Sequence, residues 1–287
     1  MHRFWPRYIA PLIEAVAPQR MTEIGAEFGW NTERLLEYCR RSGCKLEVVD
    51  PAPHPSLHEV LGRFPSEHAY HPLKSLEAIP LLPAAELVLL DGDHNWYTVY
   101  HELQLLFARA VESGVAPPVV ILHDLAWPYA RRDMYYDPDP IPFGDRHPFA
   151  RRGIIQGQSE LSDTGLNGSF NNALHEGGPN NGVLTAVEDF VASWPQKVAL
   201  TRLPFFNGLG ILVPQERATP ELRAVIDGFF EPAMLLETCE RLEHDAMQVR
   251  TDMAAQRLIL TQRTEMLVRA RSRIAELEQA LARSMAG

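Results

Sequence analysis

The chain has 287 residues, 46% hydrophobic and 22% charged, which excludes wholesale disorder and predicts one catalytic-sized domain with an appendage. Its formal charge of −10, from 27 basic and 37 acidic residues, lacks the positive footprint that non-specific nucleic-acid binding needs. No stretch reaches the roughly 20 uninterrupted apolar residues of a membrane span, and the first residues lack the apolar run of a secretory leader. Three cysteines (Cys39, Cys44, Cys239) without CxxC spacing suit a reducing, cytoplasmic setting.

In chain order, strands are predicted at 20–25, 45–50, 67–71, 86–91 and 118–123, with helices at 31–42, 55–63, 74–79 and 95–113 between them. The runs LVLL and VVIL show no polar alternation, as expected of strands covered on both faces. Such a series builds an open, mostly parallel sheet. Residues 125–182 are rich in Pro, Gly, Asn, Asp and Arg yet keep many aromatics. Following directly on the fifth strand, they are expected to form a lid over the edge where open α/β sheets bind ligands. A helix at 183–194 then leads to strands at 196–203 and 206–213, and only Pro204 and Phe205 lie between those two strands. So short a connection predicts an antiparallel hairpin at the sheet edge.

From about residue 233 the pattern changes. Every seventh residue from Cys239 to Leu281 is apolar, and the companion positions from Leu242 to Ser284 are apolar in four of seven cases. That heptad predicts a long helix in a coiled coil, and with it a homo-oligomer. The expected division is a catalytic domain over 1–232, with the lid at 125–182, and a helical tail over 233–287.

Three clusters carry chemistry. The first is the turn Glu23-Ile24-Gly25-Ala26-Glu27-Phe28-Gly29, closing strand one and opening a helix. Its GxxxG spacing is not the dinucleotide fingerprint, and Glu23 repels phosphate, so a cationic amino-acid cofactor suits it better. Asp50 ends strand two, where a carboxylate can accept ribose hydroxyls. The second cluster is Asp91-Gly92-Asp93-His94 after strand four, and the third is His123-Asp124 after strand five. Two carboxylates from neighbouring strands make a hard oxygen site for a divalent metal such as Mg²⁺.

On these residues the chain resembles the class I S-adenosylmethionine-dependent methyltransferases, over roughly residues 5–215. The resemblance implies an α/β, Rossmann-like, doubly wound sheet of seven strands in the order 3-2-1-4-5-7-6, the last antiparallel. It implies that Glu23, Gly25, Ala26, Gly29 and Thr32 frame the methionyl part of S-adenosyl-L-methionine, with Asp91 nearby. Asp50 then takes the ribose, and Ser75 flanks the adenine. The second and third clusters resemble the metal-dependent O-methyltransferases, particularly the sugar and glycan branch (macrocin O-methyltransferase and cephalosporin hydroxylase-like proteins). That likeness implies Asp91 and Asp124 as metal ligands and His94, near neutral pKa, as the base. His123 stands where the family more often has Glu or Asp, so it ligates, orients a metal-bound water or simply packs. An imidazole there favours Mn²⁺ or Zn²⁺ somewhat over Mg²⁺.

In the lid, Trp127, Tyr129, Arg131 and Tyr135 are expected acceptor contacts. The arginines 131, 132, 151 and 152 either meet an anionic acceptor or, more simply, pair with Asp133, Asp137, Asp139 and Asp145. The expected activity is metal-dependent O-methylation of a sugar, glycan or glycosylated natural product. A phenolic acceptor, a metal-dependent hydrolase or hydroxylase, and a binding protein on a degenerate fold are the alternatives.

Overall fold

The computed structural model describes residues 1–286, with side chains through Arg283. Gly287 and the side chain of Ser284, the last position of the expected second seam, lie outside the described residues. The chain divides into two compact units, Met1–Ile226 and the residues from Asp227 onward.

The first unit opens with a short irregular helical stretch and α1 (Ala10–Val16), too short for a periodic pattern to mark. The expected alternation follows: β1 (Arg20–Ile24), α2 (Trp30–Ser42), β2 (Lys45–Val49), α3 (Ser56–Gly62), β3 (His68–His71), α4 (Ser75–Ala78), β4 (Leu87–Leu90), α5 (Trp96–Glu112) and β5 (Val119–His123). All of β4 and the first four residues of β5 are buried, as apolar strands between two helical layers should be. Asn95 starts α5 by accepting the Thr98 N–H at 2.8 Å through its side chain. Phe107 of that helix meets Phe190 edge-on, ring centroids 4.8 Å apart, a contact worth about 0.5–1.5 kcal/mol beyond its burial.

Residues 125–182 form a packed insertion. They carry β6 (Met134–Tyr135), β7 (Phe149–Ala150) and β8 (Asn171–Ala173), a small antiparallel sheet in the order β6-β8-β7. Two- and three-residue strands built from Asn, Met and Tyr give no alternation to read. Helix α6 (Val183–Ser193) leads to β9 (Val198–Leu203) and β10 (Leu209–Pro214). The hairpin is antiparallel as expected, but its loop is residues 204–208 rather than two residues. Phe206, Asn207 and Gly208 all have positive φ, a conformation that cannot continue a strand ladder.

The main sheet runs β3-β2-β1-β4-β5-β10-β9, with β10 antiparallel to both neighbours. This is the expected seven-strand order. After α7 (Pro220–Gly228), which the sequence pattern does not mark, the second unit is essentially α8 (Pro232–Ala286), one uninterrupted helix of 55 residues. No helix among the described residues is long and apolar enough to cross a membrane.

Candidate active site

Parallel pairing sets the strand ends level. Ile24 pairs with Val49 on one side and Leu90 on the other, and Leu90 pairs with Leu122. Gly25, Asp50, Asp91 and His123 therefore each lie one residue past a common line, the first three just outside the strands and His123 at the last position of β5. This register brings the three expected clusters to one edge.

At the turn, Gly25 (φ +83°) lies so close to the Asp91–Gly92 backbone that a Cβ would run into the Asp91 carbonyl. Gly29 (φ +81°) caps α2. Asp50 is buried and faces the turn itself. Its Oδ2 accepts from the Ala26 and Glu27 backbone N–H groups at 2.9 and 2.8 Å, and its Oδ1 from that of Ala52 at 2.9 Å. The acid expected to meet a ribose thus shapes the loop that would hold the cofactor. Glu23 is buried too, as is Thr32 on α2. Glu23 Oε1 accepts from Asn31 Nδ2 at 2.9 Å, while Oε2 has no partner. Burial pushes its carboxyl up to about 7.

The chain's own first residues pack against this edge. The Met1 ammonium sits 2.8 Å from Asp91 Oδ2 and within electrostatic reach of Glu23 and Glu27. Phe4 is fully buried, its ring 6.0 Å from that of His123 and 5.5 Å from that of Phe206.

Asp91, His94, His123 and Asp124 form one network. Nδ1 of His123 lies 3.1 Å from Asp91 Oδ1 and 3.0 Å from Asp124 Oδ2, and its Nε2 lies 3.1 Å from the Phe206 carbonyl. His94 Nε2 is 2.8 Å from Asp124 Oδ2, and its buried Nδ1 has no partner. Asp124 holds φ +62°, a backbone conformation that costs energy for a non-glycine residue and persists where its surroundings demand it.

Burial alone would raise both carboxylates and lower both imidazoles, but their mutual attraction wins. His123 and the Met1 ammonium hold Asp91 well below the usual carboxylate range, and His94 and His123 do the same to Asp124. Asp91, then Asp124, lifts His123 to about 9, and Asp124 raises His94 well above its ordinary value. With bare carboxylates beside it, His94 holds its proton more tightly than a free imidazole does.

Ligand atoms of Asp91, His123 and Asp124 lie within 4.8 Å of one another, a span that one divalent ion can bridge. The donor set fits such an ion, with one imidazole nitrogen among the oxygens.

Two aromatic rings flank His94, Tyr129 at 5.5 Å and Tyr136 at 5.7 Å between centroids. Tyr136, which the sequence reading missed, is exposed and braced edge-on by Phe170 at 5.7 Å. Tyr135, expected in its place, is fully buried and donates to Asp133 Oδ2 at 2.8 Å. Successive strand residues face opposite ways, so a Tyr-Tyr pair offers only one ring to the site.

The remaining lid expectations are also corrected. Arg131 grips Glu188 of α6 through both guanidinium nitrogens, at 2.6 and 2.9 Å. Arg132 is buried among the carbonyls of Ala173 and Ser159, Arg151 bonds Asn171, and Arg152 pairs with Asp163. Backbone carbonyls and distant acids, not the neighbouring aspartates, satisfy these arginines. Trp127 is half-buried, packed on the core. Ser75 opens α4, and Glu102, a second unanticipated group, is fully buried with neither carboxylate oxygen hydrogen-bonded, so burial pushes its carboxyl up to about 8.

No protein-family model matches the chain, and no curated protein matches it. Solved structures do align. An SAH-bound methyltransferase of Podospora anserina is 12% identical, with TM-score 0.44, over 72% of this chain and 76% of that one. A putative caffeoyl-CoA O-methyltransferase of Staphylococcus aureus is 11% identical, with TM-score 0.41, over 72% and 80%. A 1,6-didemethyltoxoflavin-N1-methyltransferase of Burkholderia thailandensis is 11% identical, with TM-score 0.38, over 71% and 78%. At these values the likenesses carry no information on substrate or mechanism.

Proposed function

We propose that the protein is an S-adenosylmethionine-dependent O-methyltransferase acting, with a divalent cation, on a hydroxyl of a sugar, glycan or glycosylated natural product. One observation carries the reading. Strand register brings the Glu23–Gly29 turn, with the buried, unpartnered Glu23 Oε2, to the same edge as the Asp91–His123–Asp124 cluster. A buried acid beside such a cluster suits the ammonium at the methionyl end of the cofactor.

Glu23 Oε2, buried without a partner, is the acceptor best placed for the incoming ammonium. Asp91, His123 and Asp124 are the residues to hold the cation, and the nitrogen among them favours Mn²⁺ or Zn²⁺ over Mg²⁺. When bound, the sulfonium supplies an activated methyl group and the cation lowers the proton affinity of an acceptor hydroxyl. His94 receives that proton at Nε2, which it can do only once the charge of Asp124 beside it is offset. Tyr129 is buried, whereas Tyr136, exposed beside His94, offers its flat ring faces to the apolar side of a sugar ring. Those faces suit a phenol as well, which keeps phenols as the runner-up acceptors.

The test is transfer of a labelled methyl group to panels of sugars and phenols, with and without EDTA. His94→Ala is expected to lower turnover roughly 10²–10⁴-fold while S-adenosylhomocysteine still binds. Full rate in excess EDTA would rule out the cation, and near-normal turnover of His94→Ala would remove His94 as base.

A further inference from the structure

We propose that α8 pairs with α8 of a second copy of this chain as a parallel, in-register, two-stranded coiled coil. A helix of 55 residues is about 80 Å long. Within it the seam residues Met253, Leu260, Leu267, Ile274 and Leu281 are all exposed, a continuous apolar stripe that a solvated helix does not keep without a partner.

Charge chooses the occupant and its direction. With Cys239 at position a of the heptad, Asp245, Asp252 and Arg273 fall at g, and Arg250, Arg257 and Glu278 at e. In a parallel pair in register, each g residue faces the e residue five positions further along the other helix. The facing pairs are then Asp245 with Arg250, Asp252 with Arg257, and Arg273 with Glu278. All three are opposite in sign, and no e–g pair along the seam is alike. A one-heptad slip loses all three and, beside Asp245 with Arg257 and Asp252 with Arg250, sets Asp245 against Glu243 and Arg273 against Arg271, both repulsive. An antiparallel pair centred on the seam faces e with e and g with g, setting Glu243 against Glu278 and Arg250 against Arg271, both repulsive, against one opposite pair, Asp252 with Arg273.

Gln256 and Arg263 interrupt the d seam. In register each meets its own copy, polar against polar, which weakens the coil locally, most at the like-charged Arg263 pair. The same register brings Cys239 face to face with the partner's Cys239. It is the exposed cysteine of the chain, Cys39 and Cys44 being buried.

The experiment uses the full-length protein. Light scattering in reducing buffer is expected to give twice the chain mass of 32.4 kDa, and the mass of one chain would overturn the proposal. Treatment with diamide lets the two facing thiols lose two protons and two electrons to the diazene, forming one disulfide. A covalent dimer is expected on a non-reducing gel, absent in Cys239→Ser, which stays dimeric in solution. A dimer whose Cys239 thiols do not cross-link overturns the parallel register. Asp252→Arg or Arg257→Asp alone is expected to weaken dimerisation roughly tenfold, and the double variant to restore it. Single variants without effect, or a double variant that does not recover, overturn the charge pairing.

Discussion

The Nε2–H of His123 donates to the carbonyl of Phe206 at 3.1 Å, and that bond decides what the imidazole can offer. A carbonyl only accepts, so Nε2 keeps its proton and Nδ1 is left facing Asp91 and Asp124. A metal-ligating histidine is oriented in this way, by a hydrogen bond from its other nitrogen. The carbonyl reaches its place because the 204–208 loop turns through three residues of positive φ. His123→Ala is expected to lower Mn²⁺ affinity at least about tenfold in calorimetry, with the circular dichroism spectrum unchanged. An unchanged affinity would reduce His123 to a packing residue.

Glu23 ties cofactor affinity to pH. Its buried carboxyl ionises near 7, so it attracts an ammonium above that pH and loses the attraction below it. Affinity for S-adenosylhomocysteine is expected to fall about tenfold between pH 8 and pH 6. Glu23→Gln is expected to bind weakly at both values, without the slope.

Glu102 acts on stability instead. Its folded carboxyl is raised from the ordinary 4.5 to about 8, so between those values the folded chain binds more protons than the unfolded one. Stability must then fall as pH rises through that window, with no penalty below 4.5 and the full penalty above 8. The size is on the order of 3–5 kcal/mol. Glu102→Gln is expected to flatten this dependence in urea denaturation and to be more stable than the native chain at pH 9. An identical pH profile would contradict a buried, neutral Glu102.

These groups also show where the sequence was legible. LVLL and VVIL announced central strands because burial on both faces removes polar residues, and Asp91, His123 and Asp124 stood out by ending those strands. Strand register then did the rest, since parallel pairing levels the strand ends. Partners far apart in sequence left no such mark. Arg131 finds Glu188 across 57 positions, Trp96 and Gly182 both donate to Asp133, and Phe206 reaches back 83 positions to His123. The surroundings of His94 are hidden for the same reason: they are set by Asp124, which follows a different strand.

The two neighbouring tyrosines separate structure from function. Tyr135→Phe removes a buried O–H that donates to Asp133 and accepts from the His147 N–H, and is expected to cost about 1–3 kcal/mol of stability. Tyr136→Ala is expected to leave the melting temperature nearly unchanged while lowering kcat/KM for the acceptor. The reverse pattern would place the acceptor on the other face of β6.

The most direct measurement is titration of the full-length protein with S-adenosylhomocysteine, beside the Glu23→Gln variant. One molecule bound per chain at micromolar affinity, weakened at least about tenfold by Glu23→Gln, is the predicted result. No binding to the native chain at millimolar ligand would contradict the methyl-transfer reading, whatever metal the Asp91–Asp124 cluster holds.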